Sequence, residues 1–161
     1  MIMANAAFAE LERAGADARM IKLTDYPMQF CDASNAYADV NTERLGEHVD
    51  RADCLLLGVP VYNFDVNAAA KNFLELTGRK WTGKVVGFLC AAGGQGSYMS
   101  VMAYANSLML DFWCWIVPRF VCATGASFED GEIADPEFRE RIGEIVGTAM
   151  RATEARLGEP S

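Results

Sequence analysis

Cys54-Leu55-Leu56-Leu57-Gly58-Val59 runs directly into Pro60-Val61-Tyr62-Asn63-Phe64, and Val66 to Gly78 then carries the spacing of a helix. A strand, a tight loop and a helix in that order build ligand sites at the carboxyl edge of a parallel sheet. Pro60 removes a backbone donor and is expected to end the strand. Tyr62 and Asn63 bring an aromatic face and a turn-tolerant amide to a place where a planar ligand could lie. The loop alone is equally compatible with a plain strand end over which Tyr62 packs. A second junction of the same kind separates these readings.

Val85 to Ala92 is another apolar run, and it opens into Gly93-Gly94-Gln95-Gly96-Ser97-Tyr98 ahead of a further helical stretch. Glycines let backbone amides approach a ligand without a Cβ in the way, and a helix start adds unpaired amides and a positive dipole end. Such a loop suits a heteroaromatic edge or an anion. It lacks the spacing of a dinucleotide fingerprint.

The rest of the chain alternates in the same manner. Residues 4–15, 42–52, 66–78, 97–112 and 136–157 read as helices; 18–23, 53–59, 84–91 and 116–124 read as strands, the last interrupted by Pro118. Asp135 caps the final helix with Pro136 in its first turn, and Asp130-Gly131 marks a tight excursion before it. Alternation of this kind gives a parallel sheet covered on both faces, and with no repeats or linkers residues 1–161 read as one domain.

Several of these segments resemble the NAD(P)H-dependent FMN reductases, which have a flavodoxin-like fold. The likeness lies in Leu57 to Asn63, the Ala68-Ala69-Ala70-Lys71-Asn72-Phe73 helix, the Gly83-Lys84-Val85-Val86 strand entry and the Ala92 to Gly96 loop. It continues through Val117-Pro118-Arg119 and Asp130 to Pro136. The resemblance implies FMN as cofactor and NAD(P)H as cosubstrate. It assigns flavin contact to Pro60, Val61, Tyr62 and Asn63 and to Gly93, Gly94, Gln95 and Gly96. It also implies hydride transfer from the nicotinamide through FMN to a flavin, quinone or similar small-molecule acceptor. No residue of the chain is needed as acid, base or nucleophile for that step, so no catalytic side chain is expected. Lys71 and Asn72 follow the loop by more than two helical turns and read as structural.

The front departs from the family. Family members open with a short apolar strand and a Gly-, Ser- and Arg-rich loop that cradles the FMN phosphate, whereas Met1 to Phe8, with Leu11, already has the spacing of the first helix's interior. The expected fold is therefore α/β, a flavodoxin-like three-layer sandwich with a parallel sheet whose first strand is absent from this chain. Strands 18–23 and 53–59 would then each have an unpaired edge. A start assigned too late, direct pairing of the two flanking strands, or a partner chain in the slot would each account for it.

Composition narrows the partners. With 14 basic and 22 acidic residues the formal charge is −8, which argues against a nucleic-acid partner. Asn106, Ser107, Asp111 and Pro118 break the one apolar stretch long enough to suggest a membrane span, Tyr98 to Val117, so neither a membrane partner nor a secretory start is expected, and the cytoplasm is. Cys31, Cys54, Cys90, Cys114 and Cys122 are scattered and read as core residues of a reducing compartment, with no metal expected. His48, the only histidine, reads as a solvated surface residue. Met99, Met102, Met109, Trp113 and Trp115 read first as core and second as a homodimer face. Three functions remain open: a flavin reductase, an electron carrier of the flavodoxin type, and a flavin-free interaction module.

Overall fold

β1 (Cys54–Tyr62) and β3 (Val85–Ala91) run parallel and in register from Cys54 opposite Val85 to Pro60 opposite Ala91. The computed structural model describes residues 1–158, and of Gln95 the backbone only. The far edge of β3 carries two short parallel strands: β4 (Trp115–Ile116) at its start and β5 (Val121–Ala123) beside Leu89 to Ala91. Pro118, which has no N–H, and Arg119, at φ +60°, lift the chain out of the ladder between them. β2 (Asp65–Val66) folds back antiparallel on the end of β1, and β6 (Phe128–Glu129) with β7 (Glu132–Ile133) forms a separate hairpin.

Helices cover both faces, giving the expected three layers. On β3 the side chains alternate: Val86, Phe88 and Cys90 join the core under α2 (Val40–Arg51), α3 (Ala68–Thr77) and α4 (Met102–Phe112). Val85 and Leu89 join the core under α1 (Ile2–Arg13) and α5 (Pro136–Leu157). This period of two, with both faces apolar, is what a doubly covered strand requires. Gly87 lies on the α5 face, where a Cβ would come within 2.7 Å of Leu56 and 3.5 Å of Ile145.

Two helix starts carry a side-chain cap. Asp39 accepts the amides of Asn41 and Thr42 at the start of α2, and Asp135 accepts that of Glu137 at 2.9 Å at the start of α5. Lys84 Nζ donates to the carbonyls of Asp50 and Ala52 at 3.0 and 2.5 Å, which ties the exit of α2 to the entry of β3. Asn72 Oδ1 accepts the Cys31 amide at 2.8 Å, and its Nδ2 donates to the Gln29 carbonyl at 2.9 Å. Lys71 pairs with Glu75 on the exposed side of α3. Asn72 thus holds neighbouring backbone in place.

Four expectations are corrected. Residues 18–23 form no strand; the chain is irregular through Lys22 and makes a short 3-10 turn at Leu23–Asp25. Strand conformation needs a ladder, and none of the described residues pairs in a ladder with this segment or with the free edge of β1 along Cys54–Val59. Direct closure of the two flanking strands is thereby ruled out. The edge position has a visible effect, since Cys54 to Leu57 are half-buried while Val85 to Cys90 are fully buried.

Pro60 does not end β1. It sits within the strand, opposite Ala91, because on a strand with one neighbour a missing donor is tolerated. His48 is not simply solvated: it is half-buried, and the Tyr26 hydroxyl lies 3.3 Å from Nε2. Burial first, then Arg19, holds its pKa below the usual value. Met99, Met102, Met109, Trp113 and Trp115 are exposed rather than core, with Trp113 at 75%. No helix among the described residues is long and apolar enough to cross a membrane.

Asn72 offers a test of how the segment lacking a ladder is held. Asn72→Ala leaves the Cys31 amide and the Gln29 carbonyl without their partner, which costs about 2 kcal/mol and lowers Tm by roughly 4–8 °C in thermal unfolding.

Candidate active site

The carboxyl ends of β1, β3 and β5 lie side by side, because Pro60 is opposite Ala91 and Ala91 is opposite Ala123. The three loops that leave these ends enclose a cavity of about 830 Å³. Pro60 to Phe64 supply one wall, Ala91 to Gly94 with Ser97 the next, and Ala123 to Gly125 with Phe128 the third.

The first wall is a hairpin turn. Val61 pairs with Val66 and Tyr62 with Asp65, so Asn63 and Phe64 form a two-residue loop at φ +50° and +61°. This is the geometry of a type I′ turn, whose twist matches a hairpin. Asn tolerates the left-handed region, but a bulky residue there is a genuine outlier and costs on the order of 1–3 kcal/mol. Tyr62 and Phe64 are 62% and 73% exposed, so both rings stand at the rim rather than in the core.

The second wall is bare backbone. Gly93 and Gly94 are exposed, and a Cβ at either would meet no atom within 4 Å. The expected helix from 97 begins only at Met102; Gln95–Ser97 instead form a 3-10 turn, with the Ser97 amide donating to the Gly94 carbonyl at 3.4 Å. Gly96 falls outside the lining, and the Gln95 side chain lies outside the described residues. The third wall was not foreseen. Thr124 and Ser127 bond reciprocally, the Thr124 amide to Ser127 Oγ at 3.2 Å, and this fixes the turn after β5. The signal lay in the parallel strand 116–124, since every such strand ends at the same edge.

Electrostatically the cavity is plain. Its lining holds no Asp, Glu, Lys, Arg or His. Beneath it Cys90 and Cys122 face each other across β3 and β5, and Cys122 together with burial pushes the Cys90 thiol far up, so it stays protonated. The other large cavity, about 710 Å³ between α1 and α5, includes Glu10, Glu140 and Glu144 and no strand-end loop of the sheet. Among the described residues no group of His, Cys, Asp and Glu could hold a metal ion.

An uncharged slot with bare amides on one side and aromatic rings at its mouth fits the isoalloxazine part of a flavin. The same lining offers no cation to a phosphate. At α1, which begins without a side-chain cap, Ala4 Cβ lies 3.8 Å from where a Cβ on Gly58 would stand.

Comparison with known proteins agrees with the slot. An NAD(P)H-dependent FAD/FMN reductase of Geobacillus thermodenitrificans is 29% identical over 133 residues, 80% of this chain and 71% of that protein. A probable NADPH:quinone oxidoreductase 1 of Oryza sativa subsp. japonica is 29% identical over 126 residues, 71% of this chain and 62% of that one. Among solved structures, FerB of Paracoccus denitrificans, a flavoenzyme NAD(P)H:(acceptor) oxidoreductase, superposes with TM-score 0.75 at 17% identity, covering 96% of this chain and 89% of its own. Residues 2–128 match the model of the NADPH-dependent FMN reductases, and the chain belongs to that family of flavin-linked oxidoreductases.

Proposed function

We propose that this chain is an NAD(P)H-dependent flavin oxidoreductase that passes hydride from a nicotinamide cofactor through FMN to a flavin, quinone or similar small acceptor. The observation that carries the reading is the charge-free slot at three adjacent strand ends, walled by bare glycine backbone and rimmed by Tyr62 and Phe64. When bound, the flavin supplies the two-electron chemistry. Pro60, Val61, Tyr62 and Asn63 hold one side of the ring and Gly93 and Gly94 the other, with Gln95 and Gly96 continuing that loop. The chain positions two flat partners and aims amides at the ring edge, where negative charge grows on reduction. A lining without Asp, Glu, Lys, Arg or His among the described residues is in keeping with this division of labour. An acceptor that is flat and small suits a slot open at its aromatic rim.

We assign the cytoplasm as the compartment, which the five free thiols support, and a homodimer as the working form. The dimer rests on α4, where Met102, Met109, Leu110 and, just beyond, Trp113 are exposed at helical spacing. Sedimentation at micromolar concentration gives a dimer, and Trp113→Lys with Leu110→Lys gives a monomer.

The ring site has a direct test. Asn63→Gly keeps the left-handed turn while deleting the amide, and Gly94→Val puts a branched side chain into open space from an extended backbone, φ −162°. Each lowers flavin affinity about tenfold or more in fluorescence quenching, with Tm unchanged within about 2 °C.

The phosphate has a separate one. With no cation in the lining, this chain binds FMN hardly better than riboflavin, since both present the same ring. Calorimetry with the two ligands decides it, and a strong preference for FMN would require a phosphate site elsewhere on the chain or on a partner. Colourless protein that takes up neither flavin would favour the flavin-free module instead.

A further inference from the structure

The chain builds the same turn twice. Asp130-Gly131 joins β6 to β7 at φ +49° and +81°, and Asn63-Phe64 joins β1 to β2 at φ +50° and +61°. At Asp130-Gly131 the second position holds glycine, the residue that adopts this conformation without strain. At Asn63-Phe64 it holds phenylalanine, for which the same conformation is strained. Burial gives no compensation, because Phe64 is 73% exposed. Its neighbour Tyr62 is exposed as well, so the turn presents two exposed aromatic rings beside a slot whose other walls are small residues of the strand ends together with Phe128. Strain kept at an exposed ring on the rim of a cavity points to a ring that is used.

We infer that Phe64 is a specificity-determining residue: its ring forms the outer wall against which a second planar molecule, the nicotinamide or the aromatic acceptor, rests when it enters over the flavin. The inference takes the flavin slot of the preceding section as given. A flat wall on the open side limits tilt of the incoming ring and favours flat substrates over bulky ones. The left-handed backbone at Phe64 sets the direction of that wall, and Asn63 is the partner residue that makes such a turn affordable.

The experiment compares wild type, Phe64→Gly and Phe64→Tyr, all saturated with FMN. Three measurements are taken: Tm, the affinity for NADP+ by calorimetry, and KM for menadione. Glycine relieves the strain, so Tm of Phe64→Gly is unchanged or rises by a few degrees. Loss of one aromatic contact weakens NADP+ binding or raises KM for menadione by about 2- to 10-fold, and Phe64→Tyr restores it. Whichever of the two probes responds identifies the ring that Phe64 meets. Unchanged values for both probes overturn the inference, as does a change confined to sedimentation, which would make Phe64 a subunit contact. Wild type that takes up no flavin fails the slot itself, and that outcome is read before either variant is compared.

Discussion

The pairing of β3 with its neighbours is the constraint on which the rest depends. β3 is the strand buried on both faces, and β1, β4 and β5 all take their register from it. Moving the β1 register by one residue would turn Leu55 and Leu57 to the α5 face and Leu56 away from it, exchanging two cores at once. The same register aligns Pro60, Ala91 and Ala123, from which the three site loops depart. Site geometry is therefore a by-product of core packing. Substitutions on Val86, Phe88 or Leu89 would disturb the slot without touching it.

Residues that mark the family are not all site residues. Lys84 secures the exit of α2 to the entry of β3 through two carbonyls, at the end of the sheet away from the slot. Asn72 holds Gln29 and Cys31 on the flank of α3. Both are polar residues inside a matching motif, and both work as staples for segments that no ladder holds. Trp81 does the same locally: fully buried, it donates to Thr77 Oγ1 at 2.7 Å, and Thr77 donates to the Phe73 carbonyl at 2.6 Å. The Gly78–Trp81 turn is thereby locked below α3.

What was legible in the sequence followed the strength of the local signal. Asp135-Pro136 and Asp130-Gly131 each combine conformation and hydrogen bonding in two residues, and the α5 start and the β6–β7 turn fall where they indicate. Pro118 likewise marks the break between β4 and β5. Pro60 misled because its effect depends on the number of neighbouring strands, a tertiary fact that no local pattern carries. Residues 18–23 misled for the same reason: Met20, Ile21 and Leu23 have strand-like character, but a strand exists only with its partner. At the site, the glycine loop and the Tyr-Asn turn were visible as composition, whereas Thr124, Gly125 and Phe128 came together through topology alone.

The segment between α1 and α2 shows how the fold accommodates β1 as an edge. Instead of joining the ladder, Ile21, Leu23, Tyr26 and Met28 lay their side chains on the core under α2 and α3, while Met3 and Ala7 of α1 close the opposite face. Both faces of β1 are thus covered, while Cys54 to Leu57 along its unpaired edge stay half-buried. An apolar edge without lysine or a bulge is a ready template for another strand, the situation most edge strands avoid. Here Pro60 removes one donor near the top of the edge. Below Pro60, Cys54 to Leu57 remain without a pairing partner on that side among the described residues. The site loops lie beyond it: the Asn63-Phe64 turn is held by β2, which takes the same side of β1 at its carboxyl end, and the other two leave β3 and β5, so the slot keeps its shape without a longer strand along that edge.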